Sequence, residues 1–270
     1  MKRFISTDKI FDKLTGLKID ILPLGFSLFL LSLWEIIARL GWVQPFILPA
    51  PSLIFKALVD TLPIMKEHIM ATLFSAGVGF VMAIVLSMMI SMTMDRLTLV
   101  RRTLYPLIIT SQTVPIVTLA PLFAIWFGFG YLPKIVIVVL VCFFPITISL
   151  LEGLASVDKD LLNLLKSMGA KQFDVYKIVK LPATLPSFFA GLRISGTYSI
   201  MGAVIGEWIG GKKGLGVYMM RARQSFATDR VFATIVVIVL LSIAVLKIIT
   251  FLEGRAMPWN KEMNKLLKEE

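Results

Sequence analysis

The stretch IMATLFSAGVGFVMAIVLSMMISMTM, residues 69–94, carries no charged side chain over 26 residues. A helix that spans the hydrocarbon core of a bilayer needs about 20 consecutive, mostly apolar residues. Because the bilayer core offers no water to the backbone, such a stretch must satisfy its own N–H and C=O groups as a helix. This stretch therefore predicts a membrane-spanning helix.

Similar stretches recur along the chain. Residues 103–133 lack charge over 31 positions, 135–151 over 17 and 231–246 over 16. The chain is 57% hydrophobic, whereas soluble domains have about 45–50% apolar residues. We predict an all-α membrane protein with about six spanning helices, at residues 21–39, 71–94, 104–127, 134–151, 188–210 and 231–252.

The first span could be mistaken for a secretory signal peptide, because Lys2 and Arg3 precede it. Twenty polar-rich residues come before it, however, and no convincing small-residue cleavage site follows. We therefore expect a retained anchor, with Trp34 and Trp42 near the outer interface.

Lys and Arg are distributed unevenly between the connecting segments. The segments that would share one side with the termini carry 17 of them, and those on the other side carry nine, five of which lie in 211–230. Since cytoplasmic loops are enriched in Lys and Arg, we expect both termini in the cytoplasm. The predicted organisation is a cytoplasmic segment 1–20, a membrane domain 21–252 that contains a cytoplasmic loop 152–187, and a cytoplasmic tail 253–270.

The formal net charge of +11 does not indicate nucleic-acid binding. The basic residues lie between apolar stretches, where they meet anionic lipid headgroups, so we expect membrane lipid as a partner and no nucleic acid. Cys142 and His68 are the only residues of their kinds. We therefore expect no disulfide framework and no metal site.

The loop 152–187 is the longest polar stretch on the predicted cytoplasmic side. Ser156 or Asp158 can cap a short helix, which Gly169 then ends because glycine readily takes a positive φ. A second short helix follows, and we expect Leu181 to be extended because Pro182 follows it. Two short amphipathic helices around a glycine can dock a partner protein, or they can lie flat on the membrane surface. The apolar positions of the two helices are Leu161, Leu162, Leu165 and Met168, then Phe173, Tyr176 and Val179.

This loop resembles the cytoplasmic loop of binding-protein-dependent ABC import permeases, which reads E-A-A-x3-G-x9-I-x-L-P. Gly169 and the pair Leu181-Pro182 fall at the matching positions, and Val179 replaces the isoleucine. The opening departs from the pattern, since Asn163-Leu164-Leu165 stands where E-A-A is expected.

Further motifs resemble one branch of that family, which serves nitrate, sulfonate, taurine and thiamine-pyrimidine or riboflavin-type solutes. They follow one another in the family's order over about residues 25–260. The motifs are Leu48-Pro49-Ala50-Pro51-Ser52, Pro121-Leu122, Trp126-Phe127-Gly128-Phe129-Gly130, Gly191-Leu192-Arg193, Gly206-Glu207, Gly214-Leu215-Gly216 and Pro258-Trp259.

The resemblance implies a type I ABC importer permease in the cell membrane of a prokaryote. It implies a second permease copy in a homodimer, two ABC ATPase subunits that bind ATP and Mg, and an extracytoplasmic solute-binding protein. The chain itself would need no cofactor and catalyse no reaction. The residues expected to couple to the ATPase are Leu162, Leu165, Met168, Gly169, Ala170, Leu181 and Pro182.

Residues 206–212 imitate the phosphate-binding pattern G-x4-G-K-[S/T]. The next residue is Lys213 where the pattern requires Ser or Thr, and no strand precedes the motif. We therefore do not expect this chain to bind nucleotide.

Two features of the predicted spans leave alternatives open. Small residues repeat every four positions in the fifth span (Gly202, Gly206, Gly210), which favours either packing within the chain or a dimer seam. Pro106, Pro115 and Pro121 interrupt the third span. Polar groups at membrane depth must face protein or a water-filled path, so Gln112, Thr113 and Tyr198 line a translocation path or form bonds between helices.

The main rival class is an ion-coupled secondary transporter, which needs ionisable groups inside the membrane. The candidate groups all fall near span ends, where long side chains can reach the interface. Such a transporter also gives no reason for the glycine-centred loop. The candidates are Glu35, Arg193, Glu207 and Lys247.

Overall fold

The computed structural model describes residues 21–258, apart from the side chains of Ile21 and Lys166. The predicted N-terminal segment 1–20 lies outside the described residues, as do Trp259 and the rest of the tail that follows it.

The described residues form ten α-helices and one π-helical turn. Five of the helices (α1, α2, α5, α8 and α10) are long and apolar enough to cross a membrane. The elements are α1 Ile21–Arg39, α2 Pro51–Arg96, α3 Thr98–Ser111, α4 Ile116–Phe127, α5 Tyr131–Ala155, α6 Lys159–Ser167, α7 Gln172–Val175, the π-helix Tyr176–Lys180, α8 Leu181–Trp208, α9 Leu215–Gln224 and α10 Thr228–Ala256.

The predicted third span, 104–127, is two helices and not one. Helices α3 and α4 meet at an angle of 100°, so together they form either a broken span or a re-entrant loop. Pro115 has an extended backbone (φ −63°, ψ 116°) at the start of α4. Proline lacks an N–H and disfavours helical geometry in the residue before it, which ends α3 at this point. With α3 and α4 counted as one span, residues 21–258 contain six candidate spans, the number that we predicted.

Helix α5 lies at the centre of the bundle, between α2 and α8. Its buried side chains Val138, Cys142 and Ile146 belong to one apolar core with residues of both neighbours. Polar bonds reinforce the packing: the Ser195 hydroxyl donates to the Cys142 carbonyl oxygen at 3.0 Å. The Ser87 hydroxyl donates to the Phe143 carbonyl oxygen at 3.2 Å.

Small residues set how closely these helices approach. A Cβ added at Gly202 would lie 3.4 Å from the Val138 Cα atom on α5, and one at Gly206 would lie 3.0 Å from the Lys134 Cα atom. Gly196, on another face of α8, is packed against Ile249 of α10. The small-residue row of the fifth span therefore packs within the chain, where it lets α8 pass close to α5.

Candidate functional site

The segment between α5 and α8, residues 156–180, forms a helical elbow around Gly169. At its start, the Asp158 carboxylate accepts the Asp160 N–H at 2.8 Å, which caps α6. At its end, the Ala170 N–H donates to the Leu165 carbonyl oxygen at 3.0 Å, and Gly169 has φ +80°. This six-to-one bond over a left-handed residue is a Schellman motif. The predicted glycine stop is thus confirmed, with Leu165, Gly169 and Ala170 held in one turn.

The predicted docking positions on α6 do not share one exposed face. Leu162 and Leu165 are half-buried, whereas the Met168 side chain is 75% exposed. Leu161 and Leu164 are also exposed, and they precede Met168 by seven and four positions on the same helix face. The exposed apolar face at α6 is therefore Leu161, Leu164 and Met168. Neither Leu161 nor Leu164 was among the residues that we expected to couple to the ATPase.

The prediction of an extended Leu181 is wrong. Leu181 has helical dihedrals (φ −62°, ψ −51°), and its N–H donates to the carbonyl oxygen of Tyr176, five residues back. Pro182 lies in the first turn of α8, a position where a helix tolerates proline. The π-turn widens the helix just before the proline ring, which relieves its clash with the preceding turn. The chain therefore passes from the elbow into α8 without a break.

One side chain of α2 contacts the elbow segment through two polar bonds. The Tyr176 hydroxyl donates to the Asp95 carboxylate, and Lys180 Nζ lies 2.6 Å from Asp95 Oδ2. The Lys180 ammonium also lies 4.8 Å from the centre of the Tyr176 ring. We did not predict this cluster. The four-residue spacing of Tyr176 and Lys180 indicates a shared helix face, but no local signal indicates that Asp95 meets them.

A second polar cluster lies at the opposite end of the bundle, around the buried Glu207. The Thr72 hydroxyl donates to Glu207 Oε1 at 2.9 Å, and the Gly216 N–H donates to Oε2 at 2.8 Å. The Leu215 N–H donates to the Thr72 hydroxyl at 2.9 Å, and the Gly214 N–H to His68 Nδ1 at 3.0 Å. The Glu207 carboxylate therefore lies at the N-terminus of α9, where the helix dipole favours a negative group.

This cluster uses the backbone groups of the glycine-containing stretch 214–216, which follows the imitation of a phosphate-binding loop at 206–212. The backbone N–H groups of Gly214, Leu215 and Gly216 already donate to side chains of this chain. In a nucleotide site such groups would point at phosphate. The glycine-rich stretch thus wraps an internal carboxylate.

Glu207 lies near a span end, as expected, one residue before α8 ends. Its side chain is nevertheless buried under α9. Lys134 of α5 is buried nearby, and its Nζ donates to the Lys213 carbonyl oxygen at 3.0 Å. Lys213 itself forms an ion pair with Glu67 on the surface. The hydrogen bond to Glu67 raises the pKa of Lys213 above its usual value.

The three predicted path residues lie on two different elements. Gln112 and Thr113 occupy the break between α3 and α4, where the Thr113 hydroxyl donates to the Thr110 carbonyl oxygen at 2.7 Å. Tyr198 is 41% exposed on a narrow stripe of α8 that also includes Ile194 and Met201. The remainder of α8 is largely covered by α5 and α10.

Of the other ionisable candidates, Glu35 lies near the end of α1, where it pairs with Arg39 at 2.5 Å. Arg193 lies in the middle of α8 and pairs with Glu253 of α10. Lys247 is exposed within α10, nine residues before that helix ends, so neither Arg193 nor Lys247 is at a helix end. Across residues 21–258, groups of three or more His, Cys, Asp or Glu residues able to hold a metal ion are absent.

This arrangement defines a class: a polytopic membrane subunit whose helices carry a structured elbow at one end. A family model described as "Binding-protein-dependent transport system inner membrane component" matches residues 83–257. The chain belongs to this family, and its function is that of an ABC importer permease. The family assignment decides against the secondary transporter that the sequence left as the rival class.

Named relatives agree with the family assignment. The formylaminopyrimidine transport permease protein of Halalkalibacterium halodurans is 38% identical over 241 residues, which cover 89% of this chain and 96% of that protein. A putative aliphatic sulfonates transport permease protein of Bacillus subtilis is 30% identical, over 85% of this chain and 84% of its own. The taurine transport system permease protein of Escherichia coli is 30% identical, over 90% of each chain.

Proposed function

We propose that this chain carries a small organic solute across the cell membrane, driven by two separate ATPase subunits that dock on the elbow segment 156–180. The observation that carries the proposal is the Schellman turn at Gly169, which holds the apolar surface Leu161, Leu164 and Met168 away from the bundle. An exposed apolar patch at a defined angle is a surface made for a protein partner. ATP and Mg are bound by the ATPase subunits, so this chain itself catalyses no reaction.

The first solute to test is a pyrimidine of the thiamine-precursor type. The relative named for formylaminopyrimidine transport shares 38% identity over almost its whole length, against 30% for the relatives named for sulfonates and taurine. In this family an extracytoplasmic binding protein mainly selects the solute, so the solute must be identified on the assembled system.

We further propose that two copies of the chain enclose the translocation path. The exposed stripe Ile194, Tyr198 and Met201 runs along a helix that is otherwise covered by its own chain. An apolar stripe with a tyrosine hydroxyl suits a surface that faces the second copy and the solute. Gln112 and Thr113, at the break between α3 and α4, bring further polar groups to the path.

The first prediction concerns topology. On a Cys142→Ser background, we expect an impermeant maleimide to label Ser225→Cys but not Ser167→Cys in intact cells. Both positions are exposed, and they lie on either side of the single span α8, so they face opposite sides of the membrane. The basic-residue count places Ser167 in the cytoplasm. Labelling of position 167 alone would show that the orientation is the reverse of the predicted one. Permeabilised cells, in which both positions should react, serve as the control.

The second prediction concerns the energy source and the solute together. We expect the purified chain alone to hydrolyse no ATP, and the complex with its ATPase to do so, faster with loaded binding protein. Among binding-protein samples loaded in turn with a formylated aminopyrimidine, taurine, an alkyl sulfonate and riboflavin, the pyrimidine should stimulate hydrolysis most. ATP turnover by the isolated chain that survives both Lys212→Ala and further purification would contradict the proposal. If only the binding protein loaded with a sulfonate stimulates ATP hydrolysis, the transported solute is a sulfonate and not a pyrimidine.

A further inference from the structure

The link between the elbow segment and helix α2 depends on one carboxylate. Within residues 21–258, the hydrogen bonds and ion pairs that join α2 to residues 156–180 all end on Asp95. The side chains of Asp95 and Lys180 are only 10% and 16% exposed. Partial burial strengthens the attraction between the two charges, and it makes the loss of either partner costly.

Open space flanks the Asp95 cluster on two sides. On one side of the Asp95 cluster, a cavity of about 210 Å³ separates α2 from Leu162 and Ala170. On the other side, a groove of about 1140 Å³ opens between the end of α2 and the side chains of Phe173 and Lys177. The polar contacts of Asp95 therefore join the elbow to α2 between these two open spaces.

The partners of Asp95 lie on the π-turn, Tyr176–Lys180. Single π-turns are rare and occur often at functional sites. Here the turn joins α7 to α8, so Tyr176 and Lys180 move with the elbow at one end and with α8 at the other. A displacement of the elbow must therefore move α2 along with α8, provided that the Asp95 contacts hold.

Helix α2 also contacts the Glu207 cluster, near the middle of its length. Thr72 donates to Glu207, and His68 Nδ1 contacts the backbone of Gly214, so this part of α2 holds the loop that follows α8. From Asp95 to Thr72, a helix rising about 1.5 Å per residue covers about 35 Å, enough to cross the hydrocarbon core. One continuous helix thus connects the elbow to the cluster on the other side of the membrane.

We propose that Asp95 is a positioning residue for transport: it clamps the elbow segment to α2, so that ATPase-driven movement of the elbow reaches the far side of the membrane. This inference rests on the proposed docking of the ATPase to the elbow. Asp95 contacts neither nucleotide nor solute in this role. It acts through Tyr176, Lys180 and the helix that carries it.

The test compares solute transport with ATP hydrolysis in the complete complex, reconstituted in liposomes with its ATPase and loaded binding protein. For Asp95→Asn we expect normal membrane abundance and ATPase recovery, continued hydrolysis, and solute moved per ATP reduced about tenfold or more. Asp95→Lys and Lys180→Asp should each show the same loss. The double variant Asp95→Lys/Lys180→Asp restores an ion pair, so it should recover much of the ratio.

The matched control is Lys66→Gln, which removes an exposed lysine from α2 outside the elbow segment and should leave the ratio unchanged. An unaltered ratio in Asp95→Asn would overturn the proposal. So would equally inactive single and double variants at normal abundance, since a charge pair would then not be involved. Loss of ATPase recovery in Asp95→Asn would also overturn it, by making Asp95 a docking residue. Failure of the wild-type chain to bind the ATPase would refute the proposed function itself.

Discussion

Replacing Gly169 with valine should abolish solute uptake while the amount of protein in the membrane stays near that of the wild type. Gly169 has φ +80°, in the left-handed region where a β-branched residue is strained by roughly 1–2 kcal/mol or more. A Cβ added at this position meets nothing within 4 Å. The damage therefore comes from the backbone alone, through loss of the Schellman turn, which changes the direction in which Met168 and Leu164 point.

Membrane insertion should survive this change because it depends on the hydropathy of the spans and not on the elbow. The matched control is Gly169→Asn, because asparagine enters the left-handed region more readily than other residues with a side chain. We expect the asparagine variant to retain most uptake and ATPase recovery. The measurement is uptake in cells, with co-purification of ATPase on the tagged permease from the same culture.

A second variant tests whether the apolar character of the surface Leu161, Leu164 and Met168 matters, apart from the direction in which it points. Met168→Asp leaves the turn intact and places a charge on a side chain that is largely exposed in the isolated chain. It should weaken ATPase recovery because docking would bury that charge without a partner. If Gly169→Val retains both uptake and ATPase recovery, the direction of the elbow does not matter and the proposed coupling role is wrong.

Replacing Gly214 with alanine should cause a large loss of stability at the opposite end of the bundle. Gly214 has φ +135°, and an added Cβ would collide with the Glu207 carboxylate. That carboxylate cannot move freely because Thr72 and Gly216 both donate to it. Backbone strain of about 1–3 kcal/mol and overpacking of about 1–3 kcal/mol add up, which corresponds to a melting temperature lower by on the order of 10 °C.

The control is Gly77→Ala within α2, where an added Cβ meets nothing within 4 Å. In a helix interior that change should be neutral or stabilising, by up to about 1 kcal/mol. The measurement is the thermal unfolding of both variants and the wild type in one detergent, at equal protein concentration. Equal melting temperatures for the Gly214 and Gly77 variants would show that the Glu207 cluster adapts without cost.

The sequence identified the helices well because membrane insertion depends on local hydropathy. The span predicted at 21–39 coincides with α1, and those at 134–151, 188–210 and 231–252 coincide largely with α5, α8 and α10. Helix α2 extends to Pro51, well before the predicted start at residue 71. Charged residues in 51–70 ended the charge-free stretch there without ending the helix.

The candidate site likewise has one part that the local sequence predicted and another that it did not. The turn at Gly169 could be predicted because a left-handed helix end has a local sequence signature. The exposure of Leu164, the burial of Glu207 and the partners of Asp95 could not. Asp95 meets residues 81 and 85 positions further along the chain, and Glu207 meets Thr72 across 135 positions.

By itself, the sequence determined that this chain is a bundle of membrane helices with a glycine-centred elbow and, through its motifs, an import permease. The length and hydropathy of a stretch and the chemistry of a turn depend on neighbouring residues, so they can be predicted from the local sequence. Only the tertiary structure decided that the small residues of α8 pack within the chain, that Pro115 bends the third span, and which polar groups join helices. Those outcomes depend on which helix faces pack against each other. The packed faces belong to segments that are distant in sequence, so no local pattern predicts them.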